Sequence, residues 1–193
     1  SAPGDPRIPS LGADLDLRTD VGRYVVHREG RAVAETDDLL ALWQPDWVAF
    51  VLGCWFSNEE AIARAGIRMR HVELGIQGGL FRTSRPCVPV GAFDCNLVVS
   101  MRPFAEADVP RVVAITAQAT RAHGAPVHVG DPAALGIADL ARPDFGEPLP
   151  PAPGEVPMYW ACGLTPVAAI ESARPPVAIT HAAGRMVVTD LRA

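Results

Sequence analysis

Short strand-like segments alternate with short helical segments along most of this chain of 193 residues. Apolar runs at residues 97–101 and 157–162 are typical of buried strands, whereas residues 108–122 carry apolar side chains at helical spacing. This alternation predicts a mixed α/β fold. We expect two interlocked subdomains that contain a mixed sheet flanked by helices.

Turn and capping residues divide the rest of the chain into further elements. Residues 23–35 predict a β-hairpin whose turn is Glu29-Gly30, and residues 142–157, with six prolines, predict an ordered surface loop. Further helices are expected at 37–43, 57–65 and 168–173, further strands at 127–129, 177–181 and 186–190, and a buried apolar segment at 46–53.

The composition restricts what the chain can bind. Hydrophobic residues make up 49% of the sequence without a run of about 18 apolar residues, so we expect a core and no membrane span. The net charge of −5 disfavours nucleic acid, which usually requires a basic surface. Widely spaced cysteines do not predict a disulfide framework, and the expected compartment is the cytoplasm. Residues 1–17 are interpreted as a linker or tag remnant, and 18–193 as the catalytic domain.

The chain has no lysine, because all 17 of its basic residues are arginines. This absence excludes Schiff-base catalysis, anchoring of pyridoxal phosphate and the lysine of a phosphate-binding P-loop. The sequence also lacks the CxxC and HExxH patterns of common zinc sites. We therefore predict neither a covalent cofactor nor a bound metal.

Three histidines are candidates for proton transfer. His123 and His128 lie in HGAPVHVGDP, where two glycines and two prolines fix the backbone, and His181 ends an apolar strand. The alternative for each is a structural imidazole bonded to backbone carbonyls. The spacing of five between His123 and His128 disfavours a metal pair. We expect His128 and His181 to open on one pocket together with Arg102.

Two cysteines and one glutamate are further candidates for catalysis. Cys54 lies just before a predicted helix, a position that lowers the pKa of a thiol, and Cys162 lies in YWACGLTP. Either can act as a nucleophile or proton donor, although most such cysteines are small buried hydrophobes. Glu155 stands between two prolines and is a candidate base or a residue that orients a histidine.

Arginines and serines supply the candidate substrate-binding residues. Arg82 in FRTSRP and Arg102 in SMRP are predicted to hold a carboxylate or a thioester carbonyl, since a guanidinium binds planar oxygens in pairs. The alternative is a surface ion pair. Ser57 and Ser100 are weaker candidates, because neither lies in the G-x-S-x-G pattern of a nucleophilic serine.

Eight segments in order along the chain resemble the hydro-lyase family that includes D-glutamate cyclase-like proteins. The resemblance implies a two-part α/β enzyme that adds or removes water, and some relatives convert D-glutamate to 5-oxoproline. Trp55 and Asn58 in GCWFSNE and Arg185 in THAAGRM depart from the family pattern, which places the substrate in question rather than the fold. From Arg18 to Asp190, the segments are RTDVGRY, VAFVLGCWFS, FRTSRPC, LVVSMRP, HGAPVHVGDP, RPDFGE, EVPMYWACGLTP and ITHAAGRMVVTD.

The chain also resembles a domain found beside the cysteine-lyase domain of leinamycin-type polyketide synthases. That resemblance implies an acyl thioester on an acyl carrier protein as substrate, in place of a small carboxylate, and a role in sulfur incorporation. It leaves a second interpretation open, in which the domain only docks the carrier protein and has lost its chemistry. A homodimer is compatible with either interpretation.

Overall fold

A computed structural model of the chain describes residues 1–191. It divides into two compact units, one formed by Ser1–Val51 together with the stretch from Ile170 onward, the other by Leu52–Ala169. Both contain strands, and the predicted mixed α/β fold is confirmed. Over the described residues, no helix has both the length and the apolar character needed to cross a membrane.

Residues 1–191 contain seven strands and four α-helices. The strands are β1 (Tyr24–Arg28), β2 (Arg31–Thr36), β3 (Leu80–Pro86), β4 (Asn96–Ala105), β5 (His128–Val129), β6 (Glu155–Ala161) and β7 (Ala178–His181). The helices are α1 (Glu59–Arg64), α2 (Arg70–Leu74), α3 (Val109–Thr116) and α4 (Thr165–Ala173), with 3-10 turns at Trp55–Asn58, Glu106–Asp108 and Pro132–Leu135.

The first unit contains a three-stranded antiparallel sheet in the order β2-β1-β7. The predicted hairpin is confirmed: Glu29 and Gly30 have φ of 48° and 76°, the pair of positive angles that a tight hairpin turn requires. The segment interpreted as a linker contributes to the core of this unit, because Leu15 and Leu17 are buried. The hydroxyl of Tyr24 donates to the carbonyl of Leu17 at 2.8 Å.

The second unit contains a four-stranded sheet in the order β3-β4-β6-β5. Every strand pair in the described part of the chain is antiparallel, so the mixed sheet that we predicted is wrong. Both faces of the four-stranded sheet are covered by apolar side chains. One face holds Trp55, Ile62, Ile67, Met69, Phe104, Val112, Met158 and Trp160, and the other holds Phe81, Val99, Met101, Leu135, Ile137 and Tyr159.

Three local predictions are wrong, and a fourth element is shorter than predicted. Residues 37–43 form turns rather than a helix, because the carboxylate of Asp38 accepts from the amide of Leu40 and competes with helical bonding. Residues 46–53 are not a buried segment, since the Phe50 side chain is 83% exposed. Residues 186–190 form no strand. The helix expected at 108–122 ends earlier, at Thr116.

The proline-rich segment at 142–157 is largely an exposed loop, as predicted, and its last residues belong to β6. The Leu149 side chain anchors it, with 2% exposure. The neighbouring carbonyl of Pro150 accepts from Nη2 of Arg70 at 2.6 Å.

The buried histidine of the first unit should make this protein sensitive to acid. Burial lowers the pKa of His27, an effect partly offset by Glu171, and His27 Nε2 lies 3.0 Å from the hydroxyl of Thr180. As the pH falls below about 6.5, the unfolded chain binds a proton before the folded chain does. The free energy of unfolding should therefore decrease with falling pH through this window.

Denaturant unfolding at about pH 7.5 and pH 5.5 tests this expectation, with His27→Gln as the variant that cannot titrate. The variant should lose less stability on acidification than the unaltered chain. Equal losses in the two proteins would show that His27 does not contribute to the acid sensitivity.

Candidate functional site

A buried arginine occupies the centre of the four-stranded sheet. Arg102 lies on β4, between β3 and β6, and is only 2% exposed. Its Nη1 donates to the carbonyl of Met101 at 2.8 Å, while its buried Nε has no hydrogen-bond partner within residues 1–191. Burial lowers the pKa of Arg102 to about 10, against the opposing effects of Glu59, then Cys162 and Cys54, then Glu147. The protein thus contains a buried cation, and one of its hydrogen-bond donors, Nε, is unused.

An aromatic ring supports this guanidinium. Cζ of Arg102 lies 5.5 Å from the centre of the Trp55 ring, a cation–π distance. Trp55 is itself fixed by packing, since its ring centre is 4.3 Å from that of Trp160 and 6.3 Å from that of Phe104. A side chain held in this way presents a constant geometry to a ligand.

A glutamate–histidine pair lies beside the same indole ring. Oε1 of Glu59 accepts from Nε1 of Trp55 at 3.0 Å and lies 2.9 Å from Nε2 of His71. Glu59 is the first residue of α1, and its side chain is 24% exposed, whereas the His71 side chain on α2 is 2% exposed. The carboxylate is therefore the accessible member of the pair, and the imidazole supports it from the interior.

Two cysteines flank the arginine. Gly53 precedes Cys54 at a position where a Cβ would lie 2.3 Å from Cα of Ala122, so only glycine lets the chain pass there. Cys162 directly follows β6. Burial raises the pKa of Cys162, while the amide of Leu164 and the charge of Arg102 act in the opposite direction. The Cys162 thiol is therefore a protonated group beside a cation at neutral pH.

Two more polar side chains are buried with unused hydrogen-bonding atoms. Oγ of Ser100 and Nδ2 of Asn58 have no partner in the described part of the chain, and the two residues are 2% and 1% exposed. Ser100 precedes Arg102 by two positions on β4, so both face the same side of the sheet. Buried polar atoms without partners are rare and often mark a place where a ligand or water completes the bonding.

Comparison with known proteins identifies the family. The sequence profile described as D-glutamate cyclase matches residues 48–190. A protein named "Putative hydro-lyase" from Verminephrobacter eiseniae is 53% identical over 188 residues, which cover 97% of this chain and 69% of that protein. The chain belongs to the D-glutamate cyclase family.

Two further relatives are about as similar to this chain as the Verminephrobacter protein is. Relatives that also carry the name "Putative hydro-lyase", from Bradyrhizobium sp. (strain ORS 278) and Bordetella petrii, are 54% and 50% identical. The matches cover 100% and 99% of this chain, and 71% and 72% of the two relatives. The resemblance stated from the sequence motifs is confirmed, and the chain is an enzyme of the lyase type.

In this family member, the strand register separates His128 from Arg102. Met158 on β6 lies opposite both Arg102 on β4 and Val129 on β5, so these three side chains share one face. His128 pairs with Tyr159 on the other face, where the two rings are 5.6 Å apart. The expectation that His128 opens on one pocket with Arg102 is therefore wrong, because adjacent residues of a strand point to opposite faces. Nε2 of His128 lies 2.8 Å from the carbonyl of Asp131.

Neither of the other two predicted histidines belongs to the four-stranded sheet. His181 is the last residue of β7 in the first unit, and its Nδ1 lies 2.8 Å from the carbonyl of Ala182. His123 is in the loop that follows α3, and burial lowers its pKa. Roles in proton transfer stay predictions for both.

Glu155 and Arg82 have partners of their own. Nη2 of Arg70 lies 2.8 Å from Glu155, whose carboxylate also accepts from the amide of Ala152 at 2.8 Å. These contacts suit a residue that fixes the proline-rich loop. Arg82 is exposed, with Cζ 5.3 Å from the ring centre of Phe145.

Ser57 is the last of the predicted site residues. It is half-buried in the 3-10 turn after Cys54, and its amide donates to the Cys54 carbonyl at 3.1 Å. Whether Ser57, Arg82 or Glu155 touches substrate stays a prediction.

Glu59 and His71 were not among the site residues predicted from the sequence. Glu59 is one of two acidic residues in the first turn of α1, and nothing in the local sequence distinguishes it from its neighbour Glu60. His71 lies on a helix of five residues that shows no useful periodicity. The local sequence gives little signal, because the immediate neighbours of His71 are the charged Arg70 and the apolar Val72. Residues 1–191 contain no group of histidine, cysteine and acidic side chains that could hold a metal ion.

Proposed function

We propose that this chain adds or removes water on a small carboxylate substrate, and that Arg102 binds the substrate carboxylate. The observation that supports this proposal is the buried guanidinium with an unpartnered Nε. A cation held in the interior costs solvation energy, and a charge-assisted bond to an incoming carboxylate would compensate for it. The hydroxyl group of Ser100 and Nδ2 of Asn58 would add uncharged hydrogen bonds to the substrate.

Glu59 is the proton acceptor in this proposal. Its Oε1 is occupied by Trp55 and His71, which hold the carboxylate in one orientation. Its second oxygen is then available to a substrate proton. His71 acts as a positioning residue, because its imidazole is buried and reaches the substrate only through Glu59. A base fixed by two hydrogen bonds is what general-base catalysis requires.

Cys162 is the proton donor in the same scheme. Its thiol is kept protonated by burial, so it can deliver a proton to a departing hydroxyl group, which then leaves as water. The thiolate that results lies beside the charge of Arg102, which stabilises it. In the opposite direction, the thiolate takes a proton from water and Glu59 returns one to the substrate.

D-glutamate is the first substrate to test, because of the family description. In its cyclisation the α-amine nitrogen attacks the γ-carboxyl carbon, the new C–N bond forms and a C–O bond breaks. One ammonium proton first moves to the γ-carboxyl group, so that the attacking amine is neutral and the carboxyl group is in its acid form. The nitrogen then loses a proton to Glu59, and the leaving hydroxyl group gains one from Cys162. The products are 5-oxoproline and one water molecule, so atoms balance. An elimination of water α,β to a carbonyl uses the same base, donor and clamp.

The predicted roles of His128 and His181 remain part of the proposal as alternatives to Glu59. For His128 the geometry is less favourable, since it lies on the face opposite to Arg102. An acyl thioester on an acyl carrier protein likewise remains the alternative substrate class. In that case Arg102 and the unpartnered donors would bind the thioester carbonyl.

A substrate panel tests the proposal with the purified chain. D-glutamate, L-glutamate, 5-oxoproline, hydroxydicarboxylates and acyl-pantetheine thioesters are screened by thermal shift, and every compound that stabilises the protein is then assayed by mass spectrometry for a change of 18 Da (the mass of water). Turnover of a carboxylate supports the proposal, and turnover of thioesters alone supports the carrier-protein alternative. Saturable binding of carboxylates without any turnover would favour the docking interpretation and contradict the catalytic roles.

A further inference from the structure

A second pair of cysteines lies on the hairpin formed by β3 and β4. The paired strands end at Pro86 and Asn96, and the next residues on each side are Cys87 and Cys95. The Cys87 amide donates to the Cys95 carbonyl at 2.9 Å, so the ladder continues to the two cysteines. The two thiols are close enough to interact, because Cys87 contributes to the raised pKa of Cys95. Neither cysteine is in a disulfide.

The backbone geometry suits a covalent bond between these residues. Residues directly opposite each other on antiparallel strands have Cα atoms about 4.5–5.5 Å apart and side chains on one face. Protein disulfides join Cα atoms about 4.4–6.8 Å apart. The Cys87 and Cys95 sulfurs can therefore meet without a rearrangement of the strands.

We propose that Cys87 and Cys95 are an oxidation site that forms an intramolecular disulfide with a hydroperoxide as oxidant. One thiolate attacks a peroxide oxygen, the O–O bond breaks, and a sulfenic acid and hydroxide form. The second thiolate then attacks the sulfenic sulfur and expels its hydroxyl group. Overall, two thiols lose two protons and two electrons, and hydrogen peroxide is reduced to two molecules of water. A thiol reductant reverses the bond.

The disulfide would close the base of an exposed apolar loop. Between the cysteines, the side chains of Val88, Val90 and Phe93 are 87%, 69% and 48% exposed, and Val90 bridges to Phe93 through the backbone. A covalent bond at the base restricts the conformations of residues 88–94 and so fixes how these side chains are presented. The oxidation state of the pair thus sets the rigidity of this apolar surface.

The pair is also connected to the start of α4. Sγ of Cys95 lies 3.8 Å from the carbonyl of Thr165, the first residue of that helix. A disulfide sulfur has no proton to donate, so oxidation ends this contact. Burial, followed by the neighbouring Cys87, raises the pKa of Cys95, and the thiolate fraction is small at neutral pH. The rate of oxidation should increase with pH as the reactive thiolates form.

Peroxide treatment of the variant Cys54→Ser/Cys162→Ser tests the proposal, because only Cys87 and Cys95 then remain as thiols. At about pH 8 we expect an intact mass lower by about 2 Da, complete loss of alkylatable thiol, and full recovery with reductant. A matched variant that also carries Cys87→Ser should not lose 2 Da, and its remaining thiol should instead gain oxygen.

The unaltered chain gives an independent answer if the double variant does not fold. Cleavage after arginine and before Asp94 puts Cys87 and Cys95 in separate peptides, and both in peptides other than that of Cys54. Recovery of the two peptides linked to each other supports the proposal. Oxygen adducts on the two cysteines, links to Cys54 or Cys162, or dimers between chains would overturn it.

Discussion

Replacing Arg102 with Met should remove carboxylate binding while leaving the protein as stable as before or more stable. A buried cation without a carboxylate in contact costs solvation energy, and an apolar side chain of similar length does not. Nearby Trp55 and Trp160 offer apolar surface to the methionine. We expect the free energy of unfolding to stay equal or to rise by up to about 4 kcal/mol.

The same substitution, Arg102→Met, should strongly lower kcat/KM. The loss of a buried charge that pairs with the substrate costs about 2–5 kcal/mol, which corresponds to a decrease of about 30-fold to several-thousand-fold in kcat/KM. Arg64→Met is the matched control, because Arg64 is exposed on α1 and forms an ion pair with Glu60. Its kcat/KM and melting temperature should change little.

Measuring both kcat/KM and stability of Arg102→Met distinguishes a functional role of Arg102 from a structural one. A structural role for Arg102 predicts that Arg102→Met lowers the melting temperature and that the folded fraction keeps its turnover. That outcome would show that Arg102 does not bind the substrate. Arg102→Lys adds a further comparison, since lysine keeps the charge but lacks the planar pair of donors that binds a carboxylate.

Replacing Glu59 with Gln should lower kcat by about 10²–10⁴-fold, the usual contribution of a positioned base. The amide oxygen of glutamine can still accept from Trp55 and His71, so the local structure should persist. Because Arg102 remains in place to hold the substrate, KM should change much less than kcat. Steady-state kinetics on whichever substrate the panel identifies provides both values.

The adjacent residue supplies the control for this experiment. Glu60 is also in the first turn of α1, but its side chain is 64% exposed and forms an ion pair with Arg64. Glu60→Gln should therefore keep normal turnover. If Glu59→Gln retained the turnover of this control, the base would have to be sought elsewhere, with His181 and His128 as the next candidates.

Local sequence signals were sufficient to predict the strands and turns that local interactions determine. The Glu29-Gly30 turn fixes the β1–β2 hairpin, and the apolar run within β4 marks a buried strand. Arg102 was predicted from the sequence as a substrate-binding residue, and it lies buried within that run. The segment at 37–43 was misjudged because one side chain, Asp38, bonds to the backbone.

Which residues come together in the candidate site depends on contacts between residues that are distant in sequence. The face on which His128 lies is set by its pairing with Tyr159 and by the pairing of β6 with β4, neither of which a local pattern contains. The bond between Glu59 and His71 joins residues 12 positions apart on two short helices. Single motifs identified candidate residues, but only the sheet register shows which of them share a face.

The division of the first unit between two distant stretches of chain has a consequence for folding order. Strand β7 pairs with β1, and the contact between His27 and Thr180 joins residues 153 positions apart. The second unit is continuous from Leu52 to Ala169, so during synthesis its sheet can form before β7 has been made. Until then, β1 and β2 are a two-stranded hairpin, which is marginally stable alone. Closing so long a loop is slow, and completion of the first sheet should be the late step of folding.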